Sequence, residues 1–320
     1  MKRQTFNFNT FDEYAYDNRD RTAHRQHGNR KRKKEKQQRK EVVAALTDLQ
    51  DNIAEWVPTY CASLDPQHHE RQWVIDSIGP FYRDNIVTDV VSIVKGGKEA
   101  NVYTCLAHPA TGLSHIAAKL YRPRMLRHLK NDAVYKAGRT LRDAEGKQIK
   151  GRREKLALQQ KTKFGKEVDI QWWIGNEFRA QQTLYAAGAD VPQPIAHIGN
   201  TILMAHIGDG FRAAPTLSET GIVRGEAQPL FNRIMDNVAI MLAHHLIHGD
   251  LSAYNILYWD GEITIIDFPQ MVEARHNPHA FDLLQRDIQR VADYFARYGV
   301  AADAQELALG LWQPYMGRDF

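Results

Sequence analysis

The sequence predicts an α+β chain of two lobes, a small antiparallel sheet followed by a mainly helical half, with a cleft between them. Three observations carry that prediction. β-rich runs joined by glycine-bearing turns cluster between residues 90 and 121. Helical three- and four-residue spacing dominates from Pro229 onward. Between the helices of that second half, "LIHGDLSAYNILYWDGEITIIDFPQ" (246–270) sets three short oxygen-bearing side chains, Asp250, Asn255 and Asp267, at strand ends, where a hairpin alone has no use for them.

Composition bounds the class. The 320 residues are 43% hydrophobic and 25% charged, which describes an ordinary globular chain. No apolar run approaches the length of a membrane span, and the N-terminus lacks the apolar stretch of a signal peptide. Two cysteines, Cys61 and Cys105, make neither a disulfide framework nor a metal cluster, so the expected setting is a reducing cytoplasm. The net charge of +4 conceals an asymmetry. Residues 21–40 carry ten Lys or Arg against the single acid Glu35, a local charge of +9, which leaves −5 for the rest of the chain. Residues 1–40 are therefore expected to be a disordered basic arm, suited to neutralising the phosphates of RNA, or else to solubilise the chain.

The elements follow in order. From Glu41 to about Arg83, Val43, Leu46, Leu49, Ile53, Trp56 and Val57 are spaced as a helix that Pro58 ends, and 41–83 is read as an N-terminal helical segment. "VVSIV" (90–94), "NVYTCLA" (101–107) and "SHIAAKLY" (114–121) form a strand meander. Residues 122–170 are charge-rich and read as a long excursion. "VDIQWWIGNEFRAQQTLYAAG" (168–188) is a helix with Ile174, Phe178 and Leu184 on its apolar stripe and Gly188 at its C-terminal cap. Residues 194–208 return to strands, Pro229–Leu246 is a helix, and Asn255–Tyr258 with Ile263–Ile266 make a hairpin around Trp259–Glu262. A last long helix is expected to open with Asn277 as N-cap and Pro278 at its first position. The first lobe spans 84–207 and the second 208–320.

The chemistry these residues suit is phosphoryl transfer, which needs a positioned base, a metal clamp and a cation on the phosphates. Asp250 has the place of the base. Asn255 and Asp267 offer hard oxygen ligands of the kind Mg²⁺ takes together with phosphate oxygens, with Mn²⁺ as a substitute. Lys119 on the third strand supplies the cation, Glu177 on the following helix orients it, and "KGGKEANVY" (95–103) can lay backbone N–H groups of Gly96, Gly97 and Lys98 over phosphates, with Val102 beneath them. His248 reads as a buried histidine that supports the loop.

These motifs resemble those of the atypical RIO protein kinases, closest to the Rio-one branch and its short bacterial members. "GGKEANVY", "AAKLYR", "NEFRAQQTLYAAGADVPQPI", "ILMAHIG", "LIHGDLSAYNIL", "IIDFPQMVE" and "NPHAFDLLQRDIQRVADYF" match in order over about residues 90–298. Ser252, two residues after Asp250, is telling, since ordinary serine/threonine kinases have Lys there. The resemblance implies a two-lobed protein-kinase-like fold with a truncated second lobe. It implies ATP and Mg²⁺ as cofactors, Asp250 as catalytic aspartate, Asn255 and Asp267 as metal ligands, and Lys119 on the phosphates. Met204 would be the gatekeeper and Ile207 the hinge contact to adenine, while Ala205 stands where relatives carry an acid. The activity implied is autophosphorylating serine/threonine kinase or ATPase work in ribosome maturation, with Asp267 as a phospho-acceptor in the family. Two rivals are a small-molecule phosphotransferase of the aminoglycoside or choline kinase type, and an ATP-switched factor that binds RNA or the ribosome. Oligomeric state is not legible.

Overall fold

The structure, a computed structural model, describes residues 63–64, 69–122, 163–210 and 212–317, with the backbone alone for 163–172. The expected basic arm, the helix around 43–57, Cys61 and most of the 122–170 excursion lie outside the described residues. Both lobes belong to one compact unit, Tyr60–Phe320.

The first lobe is built on a five-stranded antiparallel sheet. Its strands are β1 (Val87–Gly96), β2 (Ala100–Ala107), β3 (His115–Tyr121), β4 (Pro194–Ile198) and β5 (Thr201–Ala205), in the order β1-β2-β3-β5-β4. Side chains alternate between the two faces of a strand, and that alternation sorts the lobe. Tyr103, Cys105, Ile116, Ala118, Leu120 and Leu203 point to one face and pack against Val74, Ile75, Ile78 and Phe81 of helix α1 (Arg71–Arg83). The residues between them (Val102, Thr104, Ala117, Lys119, Tyr121 and Met204) line the cleft. Thus α1, read from sequence as part of an N-terminal segment, forms one side of the core behind the cleft. The 194–208 stretch is a hairpin turning at Gly199-Asn200.

Helix α2 (Lys163–Ala186) begins seven residues before the end of the expected excursion. Ile174 packs with Tyr121 and Ile202 on the cleft side of the sheet. Gly188, at φ +79°, ends the helix as its sequence position suggests, with Gly188 N–H on the Tyr185 carbonyl and Ala189 N–H on that of Leu184. Leu184, Ala189 and Val191 already belong to the core of the second lobe, so α2 joins the two. Asp190 reinforces the junction with a two-pronged pair to Arg233, at 2.5 and 2.7 Å.

The second lobe contains α3 (Ala227–Ala243), β6 (Leu246–Ile247), β7 (Ile256–Trp259), β8 (Glu262–Ile265), β9 (Val272–Glu273), α4 (Ala280–Ala296) and α5 (Ala304–Met316). β7 and β8 form the expected hairpin, and β6 pairs with β9. The core packs Ile234, Val238 and Leu242 of α3 against Leu284, Ile288, Val291 and Phe295 of α4. One detail differs from the sequence reading. α4 starts at Ala280 with His279 at its N-cap, not at Pro278 after Asn277. Asn277 instead closes a turn ahead of the helix: its Oδ1 accepts the His279 N–H at 2.8 Å and its carbonyl that of Ala280 at 3.1 Å. An Asn side chain bonded two residues ahead forms such a turn as readily as a cap. No described helix is long and apolar enough to cross a membrane.

Candidate active site

A cleft of about 710 Å³ opens between the lobes, within the range of small-molecule sites. It is lined from above by Lys95, Gly97, Lys98, Val102 and Lys119, at the back by Glu177 and Met204, at the hinge by Ile207, and from below by Asn255 and Asp267. Most of the residues expected from sequence therefore meet in one place, carried there by β2, β3, β5, α2 and the loops between the elements. Gly96 and Asp250 are not part of this lining. Gly96 is the last β1 residue, paired with Asn101. Asp250 stands beyond Asn255, which donates its amide to the Asp250 carbonyl at 2.9 Å and lies 3.4 Å from Oδ2.

Lys119 is the electrostatic centre. Its Nζ lies 2.6 Å from Glu177 Oε1 and 2.5 Å from Asp267 Oδ1, so one ammonium bridges the two lobes. Glu177 is buried and also accepts a hydrogen bond from the Tyr121 hydroxyl. Burial disfavours the charge on Lys119, but the carboxylates of Asp267 and Glu177 outweigh it and hold its pKa above the ordinary value. Burial likewise pushes Asp267 upward, and Lys119 wins, keeping it below the usual carboxylate range. Removing Lys119 would strand the buried Glu177 carboxylate, which typically costs ~3–5 kcal/mol.

Asp267 sits at φ +72°, a left-handed conformation that Asp tolerates better than most residues. Its neighbour fixes it. Ile266 donates its N–H to the Asn255 carbonyl at 3.0 Å, and its own carbonyl lies 3.1 Å from His248 Nε2. His248 is buried against Phe268, with ring centroids 5.2 Å apart, and burial lowers its pKa, which suits the supporting role read from sequence.

The loop that carries Asp250 has anchors that the sequence did not signal. Asp287 of α4 is buried, and its two oxygens accept the Gly249 N–H at 2.7 Å and the Leu251 N–H at 3.2 Å. Arg286 donates to the Gly249 carbonyl. Arg290 holds Asp250 Oδ1 at 2.7 Å. Glu99, in the glycine turn, also faces the cleft. Burial raises its pKa, with the Asp267 charge adding to the effect.

The donor set fits a hard divalent cation. Asn255 spends its NH₂ on Asp250, which leaves its amide oxygen as the ligand atom, and Asp267 offers a carboxylate 41% exposed toward the cleft. Among the described residues no group of three or more His, Cys, Asp or Glu could hold a metal. Two protein oxygens with the remainder drawn from phosphates is the arrangement Mg²⁺ favours.

Comparison with known proteins agrees. The model of the RIO domain family matches residues 101–307. The serine/threonine-protein kinase RIO1 of Chaetomium thermophilum is 33% identical over 229 residues, 68% of this chain and 41% of that protein. Its Homo sapiens counterpart is 32% identical over 217 residues, 68% of this chain and 35% of that protein. The RIO-type serine/threonine-protein kinase Rio1 of Thermoplasma acidophilum is 30% identical over 135 residues, 42% of this chain and 69% of that protein. The chain thus matches about two fifths of the length of the fungal and human relatives.

Proposed function

From the premise that this chain belongs to the RIO domain family, we propose that it is an ATP- and Mg²⁺-dependent serine/threonine protein kinase that phosphorylates itself. The observation that carries the reading is Lys119, held between Glu177 and Asp267 in a cleft whose floor presents Asn255, with Asp250 one loop away. Lys119 grips nucleotide phosphates, and Glu177 fixes its direction. Asn255 and Asp267 would hold Mg²⁺, which would supply positive charge against the negative charge of the transferred phosphoryl group. Met204 bounds the adenine pocket and Ile207 meets the base through its backbone, with the Ile207 carbonyl already committed to the Ala214 N–H at 2.8 Å. Gly97 and Lys98 cover the phosphates. Asp250, held by Arg290 on one oxygen, orients the acceptor hydroxyl and takes its proton.

The charge of residues 21–40 favours a second layer to this function, in which the kinase works in the cytoplasm on a ribosomal subunit or other RNA-bearing particle and ATP turnover acts as a switch. Purified protein incubated with labelled ATP and Mg²⁺ should label itself. Asp250→Asn should cut transfer by ~10²–10⁴ or more while nucleotide still binds. Transfer to aminoglycosides or amino alcohols without self-labelling, or an Asp250→Asn protein that keeps most of its turnover, would sink the assignment.

A further inference from the structure

The glycine turn between β1 and β2 is tethered by a polar junction centred on Asn101. Asn101 is 1% exposed, and both ends of its amide are engaged. Its Oδ1 accepts the Gly97 N–H at 3.2 Å and Arg122 Nη2 at 3.1 Å. Its Nδ2 donates to Glu70 Oε2 at 2.7 Å and to the Tyr103 hydroxyl at 3.1 Å. A second tether holds the other side of the turn, where Arg122 N–H meets the Glu99 carbonyl at 2.9 Å. Between these two anchors lie Gly97, Lys98, Glu99 and Ala100, all of which line the cleft. The turn is tight: a Cβ on Gly97 would stand 2.8 Å from the Ala100 carbonyl oxygen.

Glu70 is the outer support. It occupies the N-cap position of α1, yet its side chain makes no capping bond. The carboxylate turns instead to Arg122, with Oε1 at 3.1 Å from Nη1 and Oε2 at 3.2 Å from Nη2, and to Asn101; His69 Nε2 lies 3.8 Å from Oε1. Its side chain is 18% exposed, so the pair is partly shielded from water. Glu70 lies outside residues 101–307, the stretch that matches the RIO domain family.

We propose that Asn101, braced by Glu70 and Arg122, is a positioning residue for nucleotide phosphates: it fixes the Gly97–Ala100 turn, so support for the nucleotide site reaches back to Glu70 at the N-cap of α1. The proposal rests on the reading of the cleft as a nucleotide site. The chemistry requires an amide at 101. Aspartate would set a second carboxylate against Glu70, and an aliphatic side chain would leave the Gly97 N–H, the Arg122 guanidinium and the Glu70 carboxylate without their common partner.

The readout is the ratio of affinities for ATP with Mg²⁺ and for adenosine, because only the former meets the turn. Titration of the full chain should show Asn101→Ala weakening ATP about tenfold, the worth of one buried hydrogen-bonded junction, while adenosine stays within about twofold. Glu70→Gln, which removes the charge but keeps an acceptor for Asn101, should show the same pattern at smaller size. It also serves if Asn101→Ala does not fold. Unchanged ATP affinity in the variants, or equal loss of ATP and adenosine as a general structural defect would give, overturns the proposal. A wild-type protein that binds no ATP overturns the nucleotide reading itself.

Discussion

Asp287 shows how much of the site depends on side chains remote from it in sequence. Burial lifts its pKa to about 7, against the opposing pull of the Gly249 and Leu251 N–H groups and of Arg286. An unfolded Asp titrates near 3.9, so between about pH 4 and pH 7 the folded protein binds the extra proton. The contribution of this group to stability is therefore fully present at about pH 4 and below, and is lost as the pH rises to about 7. Asp287→Asn removes the titration and leaves one loop N–H without its acceptor, at a cost of ~1–3 kcal/mol. Urea unfolding of both proteins at several pH values should show the wild type's advantage shrinking from about pH 4 to about pH 7 and then levelling off. A pH-independent difference would contradict the assigned shift. None of this is written locally. Asp250, Asn255 and Asp267 are legible because their spacing is short and their oxygen chemistry has no structural use in a hairpin. Asp287 meets its partners 36 and 38 residues away, and inside an amphipathic helix it reads as a solvated position.

At the scale of elements, strand alternation explains why Lys119 could be placed from sequence while α1 could not. "AAKLY" puts Ala118 and Leu120 on one face and Lys119 on the other by period alone, and the structure sends the first pair into the core and Lys119 into the cleft. Which helix would cover the core face was not written in that period, because covering it is a long-range choice among amphipathic segments. α1 does so with Val74, Ile78 and Phe81, each 0% exposed. Its packing has a measurable consequence. Ile78→Ala leaves a hole between helix and sheet and should cost ~2–5 kcal/mol of unfolding free energy, read from denaturant midpoints. A loss under about 1 kcal/mol would mean that α1 is peripheral to the lobe. The boundary of α4 was misplaced for a similar reason. Asn277 and Pro278 satisfy the rules for a helix start, but an Asn side chain closes a turn equally well, and only the tertiary position of His279 decides between the two.

At the scale of the whole molecule, the two-lobed α+β plan follows from the order of β-rich and helical segments, and the family match confirms its kinase-like class. Charge is distributed on the same scale and points beyond the cleft. A +9 stretch at 21–40 beside a remainder of −5 is a polyelectrolyte feature rather than a folding one. If it engages RNA, deleting residues 1–40 should leave self-labelling intact, because Lys119, Asp250, Asn255 and Asp267 all lie in Tyr60–Phe320. The same deletion should weaken binding to ribosomal RNA. Each phosphate that the shortened protein no longer neutralises should also flatten the slope of log affinity against log salt by about 0.7–0.9, so several such phosphates would change it by several units. A solubilising segment predicts neither effect. Binding isotherms of the full-length and shortened proteins at three or more salt concentrations separate the two. Superimposable curves would remove RNA from the proposed function and leave the phosphotransfer site as argued, since no residue of that site carries the charge in question.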